Sequence, residues 1–201
     1  MTDFITAITT LACLFVAGQV SAADPAPAAP VSEQALAPFE LKGVAVGDDE
    51  GATKVKLVDA DCETLADGTI SQCYIGDTTF GGKPAALLIR FLDGKVVYVA
   101  ATKMTQGDAF DAAEGLKLKF GPPTFMDKTR VTIVRPQRDR SLVFNRPVWD
   151  SADGTQQMKV NPAQYTAPRA QFTYAAVVLF DKHLNQVWNA RRNNTAEVGD
   201  L

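Results

Sequence analysis

Two β-rich runs, Pro84-Ala85-Ala86-Leu87-Leu88-Ile89-Arg90-Phe91-Leu92 and Lys95-Val96-Val97-Tyr98-Val99-Ala100-Ala101, flank the dipeptide Asp93-Gly94. Asp-Gly accepts the positive φ angles of a two-residue turn whose twist matches the strands it joins, so this stretch is constrained to a β-hairpin. Leu87, Ile89 and Phe91 alternate along the first strand and place that face on a core. The second strand admits two assignments, Val97 with Val99 or Val96 with Tyr98. A helix follows and is expected to pack on the hairpin. Thr105 can cap it with Asp108 three residues on, Phe110, Ala113 and Phe120 recur near helical spacing, and Gly121-Pro122-Pro123 ends it. Gly115 in its interior costs about 1 kcal/mol relative to alanine.

Four further strands are expected, over 130–134, 141–148, 156–160 and 171–180, separated by Pro136, Asp153-Gly154, Pro162 and Pro168. They extend an antiparallel sheet. A short helix is expected between Asp48 and Leu57, with acids at its N-terminal end where the helix dipole favours them. From Asp181 to Arg192, Leu184, Val187, Trp188 and Arg191 fall at helical spacing, although 185–189 also suits a returning strand; the helix is preferred. Residues 193–201 read as a polar tail. Trp149 and Trp188 read as core anchors, because large aromatics supply much of the buried area in a domain of this size.

At the other end, Phe4 to Val20 is mostly apolar and runs into Val20-Ser21-Ala22, the small-x-small pattern of a signal cleavage site. Residues 1–22 are therefore read as a secretory signal, although Asp3 stands where a basic residue is usual. The polar interruptions leave it short of a stable membrane span, and Thr10-Leu11-Ala12-Cys13 is a poor lipidation motif. Residues 23–37, rich in Pro and Ala, form a semi-rigid leader, so a single domain is expected over 38–192. Export leaves Cys62 and Cys73 as an even pair in an oxidising compartment, periplasmic or secreted, and a disulfide between them is expected.

The order Phe39-Glu40-Leu41-Lys42-Gly43-Val44-Ala45-Val46-Gly47, a short helix, Cys62, Cys73, Phe80-Gly81-Gly82-Lys83-Pro84, Phe91-Leu92-Asp93-Gly94-Lys95, a helix and Lys119-Phe120-Gly121-Pro122-Pro123 resembles a group of secreted proteobacterial proteins of unknown function. The pattern covers residues 39–124. The resemblance implies an α+β domain in which two short helices pack on one face of an antiparallel sheet. Such a domain is similar to those of β-lactamase inhibitory proteins and of the small lipoprotein of the outer-membrane β-barrel assembly machinery. It carries no catalytic residues over.

A formal charge of −3 argues against a nucleic-acid binder that works by neutralising phosphates. Asp59-Ala60-Asp61-Cys62-Glu63 begins like a calcium loop but has Thr64 where glycine is needed and Ile70 in place of the bidentate glutamate, so it reads as a solvated acidic turn with no metal. His183 is the only histidine, without a nucleophile motif, and reads as a surface residue; no cofactor is expected. The basic window is more informative. Lys128, Arg130, Arg135, Arg138, Arg140 and Arg146 stand against Asp139, and arginine forks bind carboxylates and phosphates bidentately. Arg130, Arg135, Arg138, Arg140 and Arg146 are therefore the candidate partner-binding residues of a non-enzymatic binding or adaptor module, its partner a protein of the cell envelope. The alternative is a hydrolase or transferase acting on envelope polymers through acids the sequence does not single out.

Overall fold

The structure is a computed structural model and describes residues 39–65, 68–133, 140–166 and 171–198. The expected signal and leader lie outside them. Two short strands, β1 (Glu40–Leu41) and β2 (Val44–Ala45), precede helix α1 (Glu50–Lys56). Strands β3 (Asp61–Leu65), β4 (Ile70–Phe80), β5 (Lys83–Leu92) and β6 (Lys95–Met104) lead into helix α2 (Gln106–Phe120). Then come β7 (Phe125–Ile133), β8 (Arg140–Asp150), β9 (Gln156–Asn161), the small hairpin β10 (Gln164–Thr166) and β11 (Gln171–Thr173), β12 (Ala175–Asp181) and helix α3 (Lys182–Val198). Eight strands form one antiparallel sheet in the order β3-β4-β5-β6-β12-β9-β8-β7, so the fold is α+β. The strand expected over 171–180 is divided at Tyr174, its first part pairing with β10 and its second entering the sheet.

The β5–β6 hairpin turns through Asp93 at φ 47° and Gly94 at φ 76°, the doubly positive geometry that Asp-Gly accepts. Leu87, Ile89 and Phe91 are buried as expected. On β6 neither alternation holds throughout. Arg90 pairs with Tyr98 but Phe91 pairs with Val96, so Val97 is an extra residue that resets the parity. Val96 and Val99 consequently join Leu87, Ile89 and Phe91 in the main core, while Val97 and Tyr98 pack on the opposite face.

Asp49 caps α1 by accepting from the Ala52 N–H at 3.1 Å, and Thr105 caps α2 by accepting from the Asp108 N–H at 3.1 Å. The buried stripe of α2 is Ala109, Ala112, Ala113, Leu116 and Phe120. Phe110, expected on that stripe, is only half-buried, because alanines at the contact let the helix axis approach the sheet and leave a large ring no room there. Helix α2, Phe39, Leu41 and Val44 cover one face of the sheet, closing over Trp149, Met158, Val160, Val177 and Leu179. The indole Nε1 of Trp149 donates to the Gly121 carbonyl at 3.0 Å and ties β8 to the end of α2.

The expected pair of helices on one face is supplemented by a third on the other. Asp181 accepts from the backbone N–H groups of His183 at 2.9 Å and Leu184 at 2.7 Å, which starts α3. This helix lays Trp188, fully buried, against Ile70, Leu92 and Val97, with Leu184 and Val187 alongside. The central strands are apolar on both faces, so the second face also needs a cover. No glycine or proline interrupts 193–198, and α3 continues to Val198, past the Arg192 boundary expected for the domain. Between Tyr98 and Trp188 lies the Arg90 guanidinium, 4.6 and 4.3 Å from the two ring centroids, and burial lowers its pKa.

Cys62 and Cys73 face each other across β3 and β4 and form the expected disulfide. The acidic stretch before it is not a continuous turn. Asp59, at φ 64°, makes the bend, and Asp61 to Glu63 are strand residues because pairing with β4 recruits them. His183 is exposed. Among the described residues, no helix is long and apolar enough to cross a membrane.

Candidate basic arm and ligand groove

Strands β7 and β8 pair over nine positions, from Phe125 opposite Val148 to Ile133 opposite Arg140. Strand β8 pairs with β9 over only three, Val148 to Asp150. Strand β9 ends at Asn161, beside Arg146, so beyond that point the β7–β8 ribbon continues as an arm without a further strand of the sheet next to β8, and β10 lies against its β7 side. Phe125, Met126 and Val143 on it are exposed, at 45%, 50% and 58% of their full surface.

The candidate arginines divide on this arm. Arg130 sits opposite Val143 and Arg140 opposite Ile133. Arg135 and Arg138 lie outside the described residues. Arg146 does not belong with an outward-facing set. Its Nε and Nη2 both donate to the Asp127 carboxylate directly across the strand pair, and its Nη1 donates to Asn161 Oδ1 at 3.2 Å. Asp127, two residues after the start of β7, is not legible as its partner in the sequence because the register that brings them together is set by the whole hairpin.

Beside the base of the arm, on the face that carries α3, is an open groove of about 440 Å³ lined by Tyr98, Gln157, Lys159, Asn161, Val178, Phe180, Lys182, Asn185 and Gln186. Its floor comes from β12 and β9. Val178 pairs with Lys159 and Phe180 with both Gln157 and Tyr98, so these side chains share one face. The Tyr98 and Phe180 rings lie 6.4 Å apart at 34°. Its wall is the first turn and a half of α3, a helix that packs on β4, β5, β6 and β12.

The groove is cationic. Lys182 pairs with Asp150 at 2.9 Å, and Gln157 donates to the same carboxylate at 3.1 Å. Burial opposes the Asp150 charge, but the two donors outweigh it and hold the carboxyl below its ordinary range. Lys159 Nζ lies 4.8 Å from the Phe180 ring centroid. Among the described residues it has no carboxylate oxygen within ion-pair distance. Burial is the largest cause lowering its pKa; the Arg146 guanidinium adds to this and Asp127 partly offsets it.

None of the groove residues stands out in the sequence. The alternation of Gln157, Lys159 and Asn161 with Met158 and Val160 marks one polar face on that strand. What the alternation cannot show is that the polar face adjoins Phe180 and Val178, because this depends on β12 inserting beside β9. No family model, curated protein or solved structure matches the chain.

Proposed function

We propose that this chain is an exported, non-enzymatic binding module of the cell envelope that docks an acidic protein partner through the β7–β8 arm. The observation that carries the reading is the arm itself. It extends beyond the sheet, and residues 125–146 hold six basic and two acidic side chains. One of the two acids, Asp127, is already taken by Arg146. That leaves Lys128, Arg130, Arg135, Arg138 and Arg140 against Asp139, a charge pattern that favours a partner rich in carboxylates and raises its rate of encounter. Exposed Met126, Phe125 and Val143 beside them supply apolar contact area of the kind a stable interface requires. Export is supported by the pattern of residues 1–22 and by a disulfide suited to an oxidising compartment.

A photo-reactive side chain at Val143, in the full chain expressed with its N-terminal segment, should crosslink to one acidic envelope protein. The double change Arg138→Glu and Arg140→Glu should remove that crosslink while the melting temperature stays the same. A crosslink that persists at full yield in the double variant refutes docking through the arm.

A further inference from the structure

We propose that the groove between α3 and strands β9 and β12 binds a small organic anion with a flat apolar body, its negative group held by Lys159. The site is separate from the arm's outward surface and does not rest on the docking reading.

The shape of the ligand follows from the floor. Val178 is buried at the bottom, and Tyr98 and Phe180 present two inclined ring faces. A planar apolar group laid there replaces water on the two ring surfaces, and ring-on-ring packing adds to the burial. The charge of the ligand follows from the cations. Lys159 and Lys182 both line the groove, and the guanidinium of Arg146 adds to the field at the Lys159 end. The nearby carboxylates are already committed, Asp127 to Arg146 and Asp150 to Lys182. Lys159 is thus half-buried against a ring, with the Arg146 cation near it and only partial compensation from Asp127, which is itself bonded to Arg146. Burial without a counter-charge is costly, and an anion entering beside it recovers a charge-assisted hydrogen bond at low local dielectric. A cationic or neutral ligand of the same shape gains nothing comparable.

The test titrates the full chain with 2-naphthoate, and in parallel with the neutral 2-naphthylmethanol, following backbone amide shifts by NMR. Naphthoate should give saturable shifts centred on Lys159, Val178, Phe180 and Asn185, with the alcohol at least about tenfold weaker. Lys159→Met, which keeps the length of the side chain, should weaken naphthoate by about tenfold or more, as loss of a charged hydrogen bond predicts. Lys159→Arg should restore most of the affinity. Because a change at a half-buried site can disturb folding, Gln186→Glu, at an exposed position on the wall, provides a second readout and should also weaken naphthoate. Equal affinity for the two probes, shifts mapping elsewhere, no saturation at millimolar probe, or unchanged binding in both variants overturns the proposal.

Discussion

Two glycines six residues apart should respond to the same substitution with opposite sign. Gly115 lies inside α2, exposed, and a methyl group built on it meets no atom within 4 Å. Gly115→Ala therefore changes neither packing nor hydrogen bonding. It removes backbone freedom from the unfolded chain and restores helix propensity, a gain of about 0.8–1 kcal/mol. Gly121 also has open space around its Cα, but its backbone is at φ 79° and ψ −173°, a region that residues with a Cβ scarcely enter. Pro122 restricts its ψ further, and its carbonyl must stay where Trp149 donates to it. Gly121→Ala should then cost about 1–3 kcal/mol. Urea denaturation reads both. The midpoint should rise for the first variant and fall for the second, with the slope unchanged in each. In a domain of this size about 1 kcal/mol moves the melting temperature by about 2–4 °C, so the two should diverge clearly in a thermal scan as well. Midpoints that move in the same direction would refute the assignment of one glycine to a regular helix and the other to a cap.

Other outcomes follow from single contacts. Replacing Cys62 and Cys73 together by serine should lower stability by about 3 kcal/mol, the chain-entropy value for a separation of 11 residues; denaturant titration under oxidising conditions measures it. Trp188→Ala should cost about 3–5 kcal/mol and release α3, seen as loss of amide protection along 182–198 in hydrogen exchange. Asp153 accepts from the Ser151 hydroxyl and from the Thr155 N–H and hydroxyl, which hold its pKa at about 2. Because the folded value lies below the ordinary 3.8, the carboxylate's contribution is complete above that pH and is lost as pH falls through about 2. A carbon-detected titration of the Asp153 side chain should show that low midpoint, and one near 3.8 would contradict the turn geometry.

What the sequence made legible was local. The Asp93-Gly94 turn and the Thr105 cap each depend on residues within a few positions, and each is found as read. The failures share one cause, which is information held by distant partners. A single extra residue at Val97 decides which valines of β6 face the core, and only the pairing with β5 reveals it. Phe110 lost its place to alanines because the depth of helix contact is set by the sheet beneath. Arg146 looked like one of a basic row until the register of β7 and β8 put Asp127 opposite it. The groove is the extreme case, since Tyr98, Lys159, Phe180 and Asn185 come from four elements and meet only after the whole sheet has formed.

The position of β12 bears on how the chain reaches its folded state. β3 to β6 and β7 to β9 are each continuous meanders that can assemble from neighbouring segments, yet neither touches the other in the sheet. β12 is the strand that joins them, pairing with β9 across the small β10–β11 hairpin and with β6 across α2 and five intervening strands. Such pairing closes long loops and is slow. A chain emerging from its N-terminus holds two half-sheets with open edges at β6 and β9 until Ala175–Asp181 arrives, so any fragment ending before Ala175 should be prone to edge-to-edge aggregation. Those seven residues, nearly all apolar, act as a late seam whose insertion converts two separable halves into one cooperative unit.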